Sequence, residues 1–323
     1  MPQIKAVGWS RAGSTEPPLP LMIESPTLQP GEVKVKVAWS AINPADVKVS
    51  RGDFVGRFLH ARVSPLVLGY DFSGTVEGGP GMADLSMGDE VFGFLPYASA
   101  TRQGAFAQTI TIDRGSIGRK PSNVPHDLAA AAATPGLTAL QFLRDLGRLR
   151  AGQKVLVIGA GGSVGGLAVG VAKRLGAHVT AVCSTYAVEY VRSLGADAVI
   201  DRSQRDPRSV DERFDIVFDA AAAYSYFAFR RRIGSHGAYV TTLPSPQLLL
   251  GKVMAPLSGK RCETGTVRSV AADLEQIAAW LANGLRVPIA SRFPVTELGA
   301  ALDQSAKGGL LGRVAVEVGD ALA

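Results

Sequence analysis

A chain of 323 residues is long enough for two cores, and 46% apolar with 19% charged residues is an ordinary folded composition. The formal charge of +6 comes from 34 basic and 28 acidic residues and is scattered; its densest run is Arg230-Arg231-Arg232, which argues against a nucleic-acid surface. Two cysteines, Cys183 and Cys262, exclude a disulfide framework and a cysteine-rich zinc site, and no apolar run approaches a membrane span.

In chain order, MPQIKAVGWS has no apolar leader core, so a cytoplasmic protein is expected. Residues 1–122 read as strands and turns. KVKVAWSAI (34–42), VLGYDFSGTVE (67–77), DEVFGF (89–94) and AFAQTITI (105–112) are separated by PPLP, QPGE and EGGPG. That spacing predicts a partly open β-barrel or a sandwich. The texture changes after Lys120-Pro121, where HDLAAAAATPGLTALQFLRDL predicts helix on either side of a Pro135-Gly136 interruption. From residue 154, strands alternate with helices through KVLVIG, SVGGLAVGVAKRLG, HVTAVC, YAVEYVRSLG, AVI, FDIVFDA and AYVTTL. Such alternation predicts a doubly wound parallel sheet. AADLEQIAAWLANG (271–284) has helical periodicity, and GRVAVEV (312–318) is a closing strand with the texture of the first region. The fold class is therefore α/β, with a dinucleotide-binding domain at 123–287 inserted into a discontinuous β-rich domain, 1–122 and 288–323.

The stretch VLVIGAGGSVGGLAVGVAKRLGAHVTAV (155–182) carries the chemistry. Read as Gly161-Gly162-Ser163-Val164-Gly165 it is the G-x-S-x-G elbow of a serine hydrolase, with Asp219 and His236 following in the right order. The segment before it, however, has neither an oxyanion loop nor the earlier strands such an enzyme needs. Read as Gly159, Gly162 and Gly165, with Ser163 and Val164 in the turn, it is a cradle for a dinucleotide pyrophosphate at a helix N-terminus. The flanking strands favour the cradle. At the end of the second strand no carboxylate appears before Glu189; Ser184, Thr185 and Tyr186 stand there instead. Hydroxyls accommodate a 2′-phosphate that a carboxylate would repel, so NADPH is expected over NADH.

AINPADVKVSRG (41–52), PLVLGYDFSGTVE (65–77), GDEVFGF (88–94), GAFAQ (104–108), AAATPGLTAL (131–140), the glycine turn, VRSLGADAVID (191–201) and LLGRVAVEV (310–318) together carry a resemblance. In that order they resemble the medium-chain dehydrogenase/reductase superfamily, specifically its zinc-free quinone oxidoreductase branch. The resemblance implies a GroES-like catalytic domain beside a Rossmann domain, and an A-x-x-G-x-x-G turn matched by Gly159, Gly162 and Gly165. Where zinc-dependent relatives have Cys and a His-Glu pair, this chain has Asn43 and Tyr70-Asp71, so no zinc is expected.

The resemblance also implies that Asn43 lies beside the nicotinamide and substrate, although Asn-Pro is also a common turn starter. Thr138, and Thr241 within Tyr239-Val240-Thr241-Thr242, are implied at the nicotinamide. Arg313 is implied near the cofactor, or else as a solvent-facing strand residue. Many relatives have Arg where this chain has Tyr186, which weakens the expected phosphate contact. The expected reaction is hydride transfer from NADPH to a quinone or an α,β-unsaturated carbonyl. Asn43, Lys48 and backbone N–H groups in the cleft between domains are the expected oxyanion donors, and Lys48, Tyr70 or water the proton source. A bland role for Lys48 is a surface ion pair with Asp46. An enoyl reductase acting on acyl thioesters is the nearest alternative; a cofactor- or RNA-binding protein without turnover lies further off. The partners expected are a small carbonyl or quinone substrate and a second copy in a homodimer, with no membrane.

Overall fold

The computed structural model describes residues 2–12, 14, 16–53 and 55–323. It divides into two compact units, one comprising Met1–Thr134, Ser269–Gly284 and Ile289–Ala323, the other Pro135–Arg268 and Leu285–Pro288.

In the first unit, β1 (Gln3–Gly8) and β2 (Leu19–Glu24) form an antiparallel pair. There follow β3 (Glu32–Ala41), the short helix α1 (Pro44–Ser50), β4 (Asp71–Gly78), β5 (Glu90–Phe94), β6 (Thr109–Asp113) and β7 (Ile117–Arg119). β3 shows why the segment is a strand. Val33, Val35 and Val37 alternate with Lys34 and Lys36, and the three valines are buried. Burying each contributes roughly 1.5–3 kcal/mol.

The helix α2 (His126–Gln141) leads out of this unit and contains Pro135 in its interior. The expected interruption at Pro135-Gly136 is absent. Proline removes one N–H donor, but the alanine- and leucine-rich turns around it are buried, and their packing outweighs the lost bond. The chain then widens into a π-type turn at Phe142–Leu146, where Gly147 N–H donates to Phe142 O at 2.8 Å.

The second unit alternates β8 (Lys154–Ile158), α3 (Ser163–Arg174), β9 (His178–Cys183), α4 (Val188–Ser193), β10 (Ala198–Asp201), β11 (Phe214–Asp219), α5 (Tyr226–Phe229), β12 (Ile233–Thr241), α6 (Pro246–Met254) and β13 (Arg261–Glu263). All six strands pair in parallel, in the order β10-β9-β8-β11-β12-β13. This is the doubly wound arrangement with its reversal beside β8, the first strand. Val155–Ile158 are all buried, as a parallel strand covered on both faces requires.

The chain then returns to the first unit. Helix α7 (Ala271–Ala282) packs on β7, so close that a Cβ on Gly118 would lie 2.7 Å from Leu274 Cβ. Helical periodicity alone groups this helix, and 123–134, with the dinucleotide domain; in the structure both belong to the first unit, and α7 packs on β7. β14 (Ile289–Pro294), α8 (Leu298–Lys307) and β15 (Arg313–Glu317) complete a sheet of order β14-β15-β3-β4-β5-β7, with β6 also on β3. The closing strand thus inserts beside β3, bringing Arg313 near the start of α1.

Candidate functional site

The second unit holds the glycine turn. β8 ends at Ile158, and Gly159 turns the chain with φ +81°; a Cβ there would sit 2.7 Å from Ala221 Cβ. A Cβ on Gly165 would lie 2.2 Å from Gly159 O, so this glycine lets α3 pack onto the turn. Gly162 is different. It is the N-cap of α3 in an ordinary extended conformation, and a Cβ would meet only Gly159 O, at 3.5 Å. Its bare backbone leaves open space at the head of the helix. The first-turn N–H groups of Ser163, Val164 and Gly165 have no acceptor within the helix, and no acidic residue lies in that turn. The positive end of the helix dipole therefore faces that space uncompensated, which fits a pyrophosphate.

The hydrolase alternative does not assemble. Asp219 is buried at the end of β11 and accepts from Ala223 N (3.1 Å), Tyr224 N (2.7 Å) and Tyr239 OH (2.9 Å). Burial pushes its carboxyl upward and these donors oppose the shift. The exposed His236 lies against Gly259. Thr241 Oγ1 donates to Asp219 O at 3.3 Å, and Tyr224, Tyr226, Tyr239, Thr241, Leu243 and Leu248 line a cavity of about 170 Å³. Thr138 is buried within α2.

At the tip of β9, Ser184 Oγ accepts from Arg202 Nε at 2.9 Å, and Tyr186 is exposed. The Thr185 hydroxyl donates to Asp201, whose carboxyl it holds below the usual range together with Ser203 N–H at 2.9 Å. Sequence reasoning along the second strand alone does not reach Asp201 and Arg202. The parallel register, with Asp201 beside Cys183, brings them in from the third strand. An acid is thus present at this tip after all.

The first unit holds a buried polar network. Asn43 Nδ2 donates to Asp71 Oδ2 at 3.0 Å and lies 3.5 Å from Ala41 O. Arg313 Nη1 donates to Asn43 Oδ1 at 3.0 Å, and Nη2 pairs with Asp71. Thr134 donates to Asp71 Oδ1 through its N–H (3.0 Å) and its hydroxyl. Burial pushes the Asp71 carboxyl up, while Arg313, Thr134 and Asn43 pull it down. Asp46 accepts from Asn43 N (2.7 Å) and Gly69 N (2.9 Å), and burial pushes it up to about 7.

Three expectations need correction here. Arg313 is buried, with Nη1 bonded to Asn43 and Nη2 to Asp71, so it is not a solvent-facing strand residue. Asn43 already spends amide hydrogens inside this network, so it is not a ready oxyanion donor. Lys48 is half-buried and does not pair with Asp46, whose oxygens are held by backbone N–H groups. The Tyr70 phenol donates to Leu59 O at 2.9 Å, with His60 Nδ1 at 3.4 Å and the Tyr97 ring edge-on at 4.7 Å. Burial raises Tyr70 far above the usual phenol range and pulls His60 down to about 4. The pair is therefore neutral. The sequence signal for the network was the Asp of N-P-x-D and the closing G-R-V, but only the fold reveals that they converge.

Two family models match: an alcohol dehydrogenase GroES-like domain at residues 29–122 and a zinc-binding dehydrogenase domain at residues 194–316. A trans-enoyl reductase, pgmF, of Aspergillus terreus is 32% identical over 87% of this chain and 84% of its own length. A chloroplast envelope quinone oxidoreductase homolog of Arabidopsis thaliana is 28% identical over 98% of this chain and 97% of its own. The mitochondrial NAD(P)H oxidoreductase RTN4IP1 of Bos taurus is 34% identical over 68% of this chain; the match spans only 60% of that relative's length. Among solved structures, the quinone oxidoreductase from Coxiella burnetii shares the fold with a TM-score of 0.86 at 23% identity, covering 98% of this chain and 100% of that one. A GroES-like β-rich unit and a Rossmann unit in one chain define the class, and the chain belongs to the medium-chain dehydrogenase/reductase superfamily, in its quinone oxidoreductase branch.

Proposed function

We propose that the chain is an oxidoreductase that binds a nicotinamide cofactor, preferentially NADPH, and reduces a quinone or an α,β-unsaturated carbonyl without zinc. The observation that carries this reading is the bare Gly162 backbone at the uncompensated head of α3. Gly159, Gly162, Ser163, Val164 and Gly165 would hold the pyrophosphate, and Ser184, Thr185 and Tyr186 the adenosine ribose. Thr138 and Thr241 are assigned to the nicotinamide side. When bound, the cofactor supplies the hydride. Lys48, half-buried and without an ion pair among the described residues, offers donors to the acceptor's oxygen; water is the remaining proton source, because the Tyr70 hydrogen is held by Leu59 O and burial makes the phenol a weaker acid. Asn43, its carboxamide committed to Asp71 and Arg313, is a positioning residue at the head of α1.

The donor chemistry supports the zinc-free part of the proposal. Both cysteines belong to the second unit, and Asp71 in the first is consumed by Arg313 and Thr134. Activity that survives exhaustive chelation would support it. Purified protein is expected to oxidise NADPH only when a small quinone or enone is added; no turnover across a broad panel would sink the proposal. The pgmF match favours a second reading, an enoyl reductase for thioester-linked substrates, and that enzyme would prefer carrier- or CoA-linked enoyl groups over free quinones. We further propose a homodimer. Leu249, Leu250, Val253 and Met254 of α6, with Leu243 and Leu257 beside it, form an exposed apolar face that a second copy would cover.

A further inference from the structure

We propose that Arg202 is the residue that discriminates NADPH from NADH, by donating to the 2′-phosphate, with Ser184 as its positioning partner. The inference rests on the cofactor reading above and names the group that would recognise one cofactor over the other. Arg202 directly follows β10, and its N–H donates to Cys183 O at 2.9 Å, which fastens it to the tip of β9. Its Nε donates to Ser184 Oγ at 2.9 Å, so one edge of the guanidinium is fixed. The two terminal nitrogens carry no carboxylate among the described residues, and the side chain is exposed.

The neighbouring charges leave this arginine available. Asp201, next in the chain, is held by the Thr185 hydroxyl and Ser203 N–H rather than by Arg202. Arg192, on α4, is spent on Glu189. A planar fork of donors beside a hydroxyl, at the end of the second parallel strand, is a built phosphate contact where the adenosine ribose lies in dinucleotide folds. The competing assignment gives the ribose to Asp201, whose carboxylate would accept from the free 2′-hydroxyl of NADH.

Direct titration of the full chain with NADPH and with NADH, read by cofactor fluorescence, separates these assignments. The wild type is expected to bind NADPH more tightly. Arg202→Ala should weaken NADPH at least about tenfold and leave NADH within about twofold, with Arg202→Lys between them because a point charge replaces the fork. The phosphorus resonance of the bound 2′-phosphate should move toward its free position in Arg202→Ala. An unchanged NADPH/NADH ratio in Arg202→Ala would overturn the assignment while leaving cofactor binding intact. Tighter NADH binding by the wild type, lost in Asp201→Asn, would overturn it in favour of Asp201. Absence of binding by either cofactor would overturn the cofactor reading as well.

Discussion

Replacing Arg313 by methionine removes the guanidinium that faces a fully buried carboxylate. Asp71 is 0% exposed and Arg313 4%, so solvent cannot take over the charge. Stranding one partner of such a pair costs about 3–5 kcal/mol. Three hydrogen bonds to Asp71 survive, two from Thr134 and one from Asn43, which sets the expected loss near the lower end, about 3 kcal/mol. Against a typical total of about 5–15 kcal/mol, that is large enough to read in a urea titration.

The pH dependence has a definite sign. Without Arg313 the folded-state pKa of Asp71 rises further above its unfolded value of about 3.9, so the folded state binds the extra proton. The variant's deficit should therefore shrink as pH falls toward 4 and be largest well above the raised folded pKa. Adding Asp71→Asn to Arg313→Met leaves no charge to strand and should recover much of the loss. A deficit under about 1 kcal/mol, or one that grows on acidification, would refute the reasoning.

Gly165 and Gly162 of the turn should respond differently. Gly165→Ala drives a Cβ into Gly159 O and is expected to lower stability by about 1–3 kcal/mol, whereas Gly162→Ala should leave the melting temperature near wild type and weaken NADPH binding, both read by thermal unfolding with and without NADPH. Asp46, pushed up to about 7, is protonated when folded and ionised when unfolded between about pH 4 and 7, so its contribution to stability falls as pH rises through that window. Asp46→Asn should remove that slope and, by keeping one acceptor for two N–H groups, cost about 1–3 kcal/mol, as urea titrations across the window would reveal. Val253→Glu places a charge on the exposed face of α6 and should turn a dimer into a monomer in light scattering; an unchanged mass would remove α6 from the interface.

Much of the second unit was legible because its signals are local. A buried strand, three glycines and a small-residue helix follow one another closely, and the backbone imposes a steric reason for glycine at Gly159 and Gly165. What was not legible required register or tertiary packing. Asp201 and Arg202 reach Ser184 and Thr185 only because β10 pairs with β9, a fact the residues on β9 do not carry. Arg313 meets Asn43 across 270 positions, through insertion of β15 beside β3. Pro135 looked like a breaker because proline's local cost is visible in sequence, while the burial of the surrounding alanines is not. The unit to which α7 belongs is illegible for the same reason: its amphipathic face is readable, but its partner β7 lies more than a hundred residues upstream.

The most direct test of the proposed reaction is the decay of NADPH absorbance in mixtures of the purified chain with small quinones, enones and enoyl thioesters. Acceptor-dependent oxidation by the wild type that falls sharply in Gly162→Ala is the expected result. NADPH that stays reduced with every acceptor, while the protein remains folded, would contradict it.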